Sequence, residues 1–179
     1  MIEDIEKILI TEQQIEDMVQ TLAQQVSEDY KHKNLMLLCV LKGSVVFAAD
    51  LMRHITIPCS IDFMAVSSYG STTSSSGVVR ILKDLETDIS DKDILIVEDI
   101  IDSGLTLNYL KELLLARNPK SVKICAILNK KARRKINIEA DYNGYEIPDE
   151  FAVGYGLDYA EKYRNLPFVG VLKPEIYQK

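Results

Sequence analysis

The stretch DILIVEDIIDSGLT, residues 93–106, decides the fold. Its apolar start, Asp93 to Val97, predicts a strand that is buried on both faces, as strands of parallel sheets are. The leucines that follow the stretch recur at helical spacing and predict a helix that stops before Pro119. A loop of acidic and small polar residues joins the two elements. Open α/β sheets bind ligands at the carboxyl ends of their strands, so this junction is the first candidate site.

The same alternation of strands and helices continues on both sides of this stretch. Thr11 and Gln14 form a capping box, and the apolar residues after it predict a helix that ends near Tyr30. A second helix is predicted over residues 45–55. Further strands are predicted over residues 35–41, 60–66, 78–82, 121–128, 151–153 and 168–172. This order predicts an α/β protein with a mainly parallel central sheet and helices on both faces.

Length and composition predict one globular domain over residues 1–179. The chain is 47% hydrophobic and 27% charged, which excludes disordered, collagen-like and coiled-coil proteins. Apolar runs stay below the ~18 residues that a membrane span needs, and no secretory signal is visible. A net charge of −6 disfavours nucleic-acid and anionic-membrane partners, because phosphate groups repel it. Cys39, Cys59 and Cys125 lie far apart in or beside apolar runs, which favours reduced thiols in a cytoplasmic protein.

The segment from Asp102 to Thr106 has the composition of a phosphate-binding loop. Backbone N–H groups, two hydroxyls and a glycine that permits close approach stand at the start of a helix, where the potential is positive. The alternative is an ordinary turn in which Asp102 or Ser103 only caps the helix. Glu98 and Asp99 shift the balance, because adjacent carboxylates at a strand end repel one another unless something binds them. Together these groups indicate a sugar phosphate that is held at both ends.

One low-complexity stretch, residues 67–77, consists of serine, threonine and glycine with a single tyrosine. Such residues bury too little surface to offset the entropy of ordering. The stretch is therefore either a linker or a mobile flap beside the site. Because a strand of similar composition resumes after it, we expect a flap within one domain.

The segment LIVEDIIDSGLT resembles the phosphoribosyl-diphosphate binding motif of type I phosphoribosyltransferases. Four further segments resemble the hypoxanthine-guanine phosphoribosyltransferase family, and they extend the resemblance over nearly the whole chain in one order. They are LCVLKGS (38–44), SSYGS (67–71), ILNKKARR (127–134) and EIPDEFAVGYGLDYAEKYRNLPFVGVL (146–172). The phosphate motif implies only the superfamily, whereas the last segment points to 6-oxopurines. The resemblance also implies a small hood, built from the terminal segments, over the site.

The resemblance implies a role for each residue of the phosphate motif. Glu98 and Asp99 are expected to hold the ribose hydroxyls, directly or through Mg²⁺. Asp102 is expected to exchange a proton with N7 of the base. The 5′-phosphate is expected to bind to Ser103, Gly104, Leu105 and Thr106.

Other expected roles fall on residues far from the motif. Lys42 and Gly43 are expected to form a pyrophosphate loop with a cis Leu41–Lys42 peptide, and Arg164 to contact pyrophosphate. Asp158 is expected to be a further Mg²⁺ ligand. The base would be held by Lys130 at its 6-oxo group, Phe151 on its ring and the Ala152 backbone, with Ser68 and Tyr69 on the flap. From the residues alone, Phe151 would be a core aromatic and Asp158 a loop or cap aspartate.

The implied activity is Mg²⁺-dependent transfer of a 5-phosphoribosyl group from 5-phosphoribosyl 1-diphosphate to N9 of hypoxanthine or guanine. The implied assembly is a homodimer or a homotetramer. Two other classes stay open: a regulatory sensor that binds RNA or a partner, and a phosphoacceptor module labelled at Asp99 or Asp102. The basic run at residues 130–135 is either a nucleic-acid patch or a solvated strand end with Lys130 turned inward.

Overall fold

The computed structural model describes residues 1–68 and 79–178. The strands are β1 Ile5–Ile10, β2 Leu35–Leu41, β3 Ser60–Ser68, β4 Val79–Lys83, β5 Asp93–Ile101, β6 Ser121–Asn129, β7 Tyr142–Glu146, β8 Ala152–Val153 and β9 Val169–Leu172. The helices are α1 Glu12–Asp29, α2 Val45–His54, α3 Leu105–Leu115 and α4 Pro174–Tyr177. In the described part of the chain, no helix is long and apolar enough to cross a membrane.

A six-stranded central sheet has the order β4-β3-β2-β5-β6-β7. The pairs β2–β3, β2–β5, β5–β6 and β6–β7 are parallel, and β4 adds an antiparallel edge to β3. The predicted, mainly parallel sheet is confirmed. The carboxyl ends of β2, β5 and β6 therefore meet at one edge, which brings together segments that lie far apart in the sequence.

The helices cover both faces of this sheet, as predicted. On β2, Leu37 belongs to the apolar cluster that contains the buried residues of α1 and α2, whereas Leu38 belongs to the cluster that contains those of α3. This alternation follows from the two-residue period of a strand, and it explains why the strand is apolar throughout. The capping box of α1 is present: Gln14 N donates to Thr11 Oγ1 at 3.3 Å, and Thr11 N donates to Gln14 Oε1 at 2.9 Å.

A second, three-stranded antiparallel sheet has the order β1-β9-β8 and joins the two terminal segments of the chain. Its register pairs Ile5 with Leu172 and Ile10 with Val169. The sequence patterns predicted β8 and β9 but missed β1 and also β7. Neither strand is apolar throughout; β1 exposes half of its side chains, and β7 contains a glycine.

Two predicted boundaries need correction. The strand predicted to end at Val97 continues to Ile101, so Glu98 and Asp99 lie within β5 rather than after it. Pairing with β6 maintains this extension, since Glu98 lies opposite Ala126. The predicted flap, residues 67–77, begins in β3, where Ser67 pairs with Arg80 and Ser68 with Val79; residues 69–77, including Tyr69, lie outside the described ones.

Candidate active site

The predicted phosphate loop connects the end of β5 to the start of α3. The residue at the helix cap is Gly104, whose φ of 81° is in the left-handed region that favours glycine. The alternative reading, in which Asp102 or Ser103 is only an N-cap, is therefore wrong. No side chain caps the helix, and Ser103 Oγ accepts a hydrogen bond from Leu105 N at 3.4 Å. The Leu105 amide is thus used within the loop, whereas the next amide of the first turn of α3, that of Thr106, is available to an anion.

The Glu98 and Asp99 carboxylates are partly buried at the end of β5, and few hydrogen bonds offset the cost of burying them. Glu98 Oε2 is buried and has no hydrogen-bond partner among the described residues. Burial and the neighbouring Asp99 charge raise the pKa of Glu98 well above its usual range. Burial raises the pKa of Asp99 to about 6, although Ile100 N donates to Asp99 Oδ1 at 2.7 Å. Such a pair favours a ligand that supplies hydroxyl donors or a cation.

The loop after β2 lies directly against these carboxylates. The Leu41–Lys42 peptide is cis, as the resemblance implied. Gly43 follows it, and a Cβ atom at this position would overlap the Asp99 carboxylate. Any larger residue would therefore displace the Asp99 carboxylate from the end of β5. The contact places Lys42 and Gly43 beside the acidic pair.

Asp158 and Arg164 form an ion pair in the segment between β8 and β9. Arg164 Nη2 lies 2.9 Å from Asp158 Oδ1, and Arg164 Nη1 donates to the Gly156 carbonyl at 2.8 Å. Gly156 in turn lies against the carbonyl of Gly43. The segment between β8 and β9 therefore packs against the loop after β2. In this position the Arg164 charge acts to lower the pKa of Asp99.

The predicted base-binding residues lie at and beyond the end of β6. Lys130 is 6% exposed, its Nζ donates to the Glu150 carbonyl at 2.8 Å, and its backbone N–H donates to the Ile101 carbonyl at 3.0 Å. Burial lowers the pKa of Lys130, and the nearby Asp102 charge opposes that shift. Lys130 is thus turned inward beside Asp102, with its ammonium oriented by a main-chain carbonyl.

Phe151 is 36% exposed, so the prediction of a core aromatic from the residues alone is wrong. Its ring stacks on Tyr177 with centroids 4.7 Å apart, and meets the edge of Tyr159 at 5.6 Å. Ala152, the next residue, pairs with Val171 in the antiparallel sheet. The aromatic cluster fixes the plane of the Phe151 ring, which is suited to stacking on a flat heterocycle.

Acidic neighbours pair with part of the basic run that follows Lys130. Lys131 lies 2.9 Å from Glu146, and Arg133 lies 2.5 Å from Asp149. These pairs favour the solvated strand end over the nucleic-acid patch.

Sequence reasoning missed three groups at the site. These are the Glu150 carbonyl that holds Lys130, the Tyr177 ring on Phe151, and the Glu161 carboxylate on Lys42 and Arg164. Each acts through a contact between distant segments. No local pattern signals Tyr177, since its helix has four residues.

The donor set fits Mg²⁺ only when a ligand contributes. Within residues 1–68 and 79–178, no three potential metal-binding side chains lie together. Glu98 and Asp99 nevertheless supply two carboxylates, and Mg²⁺ is commonly bound by one or two carboxylates together with substrate oxygens. The Asp158 carboxylate, by contrast, is engaged by Arg164.

Comparisons with known proteins identify the family of this chain. Residues 7–160 match the model of the phosphoribosyl transferase domain. The chain is 54% identical over 175 residues to a hypoxanthine-guanine phosphoribosyltransferase of Bacillus subtilis, covering 98% of this chain and 97% of the relative. It is 50% identical to the corresponding Mycobacterium tuberculosis protein, covering 98% and 90%. A crystal structure of a Staphylococcus aureus hypoxanthine phosphoribosyltransferase superposes with a TM-score of 0.96 at 49% identity, covering 99% and 96%. The chain belongs to the phosphoribosyltransferase family and, within it, to the hypoxanthine-guanine phosphoribosyltransferases.

Proposed function

We propose that this chain moves the 5-phosphoribosyl group of 5-phosphoribosyl 1-diphosphate to N9 of hypoxanthine or guanine, giving IMP or GMP and pyrophosphate. Family membership makes it a transferase of purine salvage. The residue assignments rest on the Glu98–Asp99 pair, in which a buried Glu98 oxygen lacks a hydrogen-bond partner among the described residues. The pair lies between the N-terminus of α3, which no side chain caps, and the Lys42–Gly43 loop.

The ribose phosphate is held at its two ends. The amides and hydroxyls from Ser103 to Thr106 bind the 5′-phosphate, which the positive potential of the α3 N-terminus favours. Glu98 and Asp99 accept hydrogen bonds from the ribose hydroxyls. Breaking the bond between C1′ and the diphosphate oxygen builds positive charge on the ribose, and a carboxylate-lined pocket stabilises that charge.

The departing diphosphate gains negative charge in the same step. Lys42 and Arg164 supply the cations that bind the diphosphate, and the Gly43 backbone, which lies against the Asp99 carboxylate, contacts it as well. Glu98 and Asp99 would hold Mg²⁺ here, and the ion would supply further charge neutralisation. Asp158 is the third proposed ligand of the ion; Arg164 contacts its Oδ1 and Glu161 N donates to its Oδ2, so that role requires the carboxylate to turn away from one of them.

The purine lies between the ends of β5 and β6 and the Phe151 ring. Lys130 Nζ donates to the 6-oxo group, and the Glu150 carbonyl orients it. Asp102 exchanges the proton at N7, and Phe151 and the Ala152 backbone hold the ring. Adenine carries an amino group at position 6, so a buried ammonium donor there would be left without an acceptor.

Several further parts of the proposal concern what surrounds the site. The role proposed for residues 67–77, with Ser68 and Tyr69, is that of a flap that would keep water from the reacting ribose; only Ser67 and Ser68 of them are among the described residues. The substrates are the diphosphate and the base, with neither nucleic acid nor membrane as a partner. The active form is a homodimer or homotetramer in the cytoplasm, and residues 1–179 act as one domain.

A spectrophotometric assay tests the proposal. The protein is mixed with Mg²⁺ and 5-phosphoribosyl 1-diphosphate, and hypoxanthine, guanine, xanthine or adenine is added in turn. We expect nucleotide from hypoxanthine and guanine, and none from adenine. Absence of turnover with every 6-oxopurine would refute the proposed function. Retention of RNA on a filter by the protein would then support the hypothesis of a regulatory sensor. Labelling of Asp99 or Asp102 by a small phosphodonor would support the hypothesis of a phosphoacceptor module.

A further inference from the structure

A single carboxylate, that of Glu161, contacts both cations assigned to the diphosphate. Its Oε1 and Oε2 atoms each lie 3.2 Å from Lys42 Nζ, and Oε2 lies 3.6 Å from Arg164 Nη2. Lys42 and Glu161 are 119 residues apart, so the tertiary fold brings the three charges together. Both side chains are 67% exposed, which leaves them free to exchange partners.

The backbone turn that presents Glu161 is unusual for residues with side chains. Ala160 and Glu161 have φ values of 51° and 61°, in the left-handed region, which non-glycine residues seldom occupy in succession. Glu161 N donates to Asp158 Oδ2 at 2.9 Å, and reciprocal backbone bonds join Tyr159 to Lys162. These bonds hold the turn closed. The same turn therefore fixes Asp158 and aims the Glu161 side chain at Lys42.

We propose that Glu161 is a placeholder for pyrophosphate, and that it weakens the binding of the diphosphate group. This inference rests on the proposed function, because it takes Lys42 and Arg164 as the cations of the diphosphate site. Glu161 occupies them in the free protein and is displaced when a diphosphate binds. After transfer, it competes for the same cations and speeds the release of pyrophosphate. Glu161 is thus a positioning residue that acts through Lys42 and Arg164.

The expected effect is modest, because exposed ion pairs are weak. Glu161→Gln removes the charge but keeps the size of the side chain. We expect the Kd of magnesium pyrophosphate to fall by about two- to tenfold, and the KM for 5-phosphoribosyl 1-diphosphate to fall in the same direction. The Kd of IMP should stay unchanged, since a nucleoside monophosphate has no group at these cations. A merely structural role would move both affinities together.

Isothermal titration of the full-length protein with magnesium pyrophosphate and with IMP makes the measurement. Glu86→Gln is the matched control, because Glu86 is also exposed and pairs with Lys83 at 3.0 Å. Thermal unfolding of both variants checks the fold, and Glu161→Ala provides a second variant. An unchanged or higher Kd of pyrophosphate in both Glu161 variants overturns the inference. If the wild-type protein binds no pyrophosphate and converts no purine, the proposed function itself fails, which is a separate result.

Discussion

Replacing Lys130 by methionine should remove the donor to the 6-oxo group while keeping the aliphatic part of the side chain. Lys130 is 6% exposed and its Nζ is already oriented by the Glu150 carbonyl at 2.8 Å. Because the Lys130 side chain is already held in place, little conformational entropy is lost when the base binds. Most of the free energy of its hydrogen bond to the base should therefore appear as binding affinity. Hydrogen bonds that involve a charged group contribute about 1.5–3 kcal/mol, which corresponds to a loss of about 10- to 150-fold in kcat/KM for hypoxanthine.

The assay measures initial rates while either the purine or 5-phosphoribosyl 1-diphosphate is varied. In Lys130→Met the KM for hypoxanthine and guanine should rise most, and the KM for the diphosphate should change by less than about threefold. Lys131→Met is the matched control, because Lys131 is exposed and pairs with Glu146 at 2.9 Å; it should behave like the wild type. Thermal unfolding shows whether loss of the bond to Glu150 disturbs the fold.

Two results would contradict the assignment of Lys130. An unchanged KM for both purines would mean that its ammonium does not face the base. In the second result, the KM values for the purine and for the diphosphate rise equally in a variant that also unfolds at a lower temperature. That result would mean that Lys130 acts only through its bond to the Glu150 carbonyl and through the local fold.

Three other substitutions test the remaining groups. Asp102→Asn should lower kcat by about 10²–10⁴-fold and leave diphosphate affinity nearly unchanged; equal losses in both would remove the proton-transfer role. Gly43→Ala places a methyl group on the Asp99 carboxylate, so kcat/KM for the diphosphate should fall by about 100-fold for each ångström of displacement, whereas near-normal kinetics would contradict the close contact. Because burial raises the pKa of Asp99 to about 6 from 3.8, the ligand-free folded protein binds more protons than the unfolded chain in that window and loses stability as pH rises through it. Asp99→Asn removes the buried charge and should therefore raise Tm at pH 7.5, by about 2–4 °C for each kcal/mol by which the charge destabilises the folded protein. Below pH 3.8 its Tm should equal that of the wild type, and its turnover should be impaired. An equal Tm of the two proteins at pH 7.5 would contradict the argument that burial raises the pKa of Asp99.

The parts of the molecule that depend on near neighbours could be predicted from the sequence. The capping box of α1 and the bounds of β2 follow from residues within a few positions of one another. The acidic pair and the candidate phosphate loop could be predicted for the same reason, since Glu98 to Thr106 is one short stretch. The end of β5 was placed too early, because two adjacent carboxylates are unfavourable in a strand unless β6 and a ligand site accommodate them.

The roles of Lys42, Asp158 and Arg164 came only from a family resemblance. No spacing within the chain relates them to Glu98, and sequence logic alone would have made Phe151 a core residue. The sheet order supplies the missing information, because it places the ends of β2, β5 and β6 side by side.

By itself the sequence determined the α/β fold and predicted a phosphate-binding loop after a buried strand that ends in two acids, because periodicity and turn chemistry act over a few residues. Only the tertiary structure decided that β1 pairs with β9, that Tyr177 lies on Phe151, and that Glu161 meets Lys42. These contacts join segments whose attraction depends on the packing of the whole chain. No short stretch of sequence records them, since each partner is an ordinary residue in its own neighbourhood.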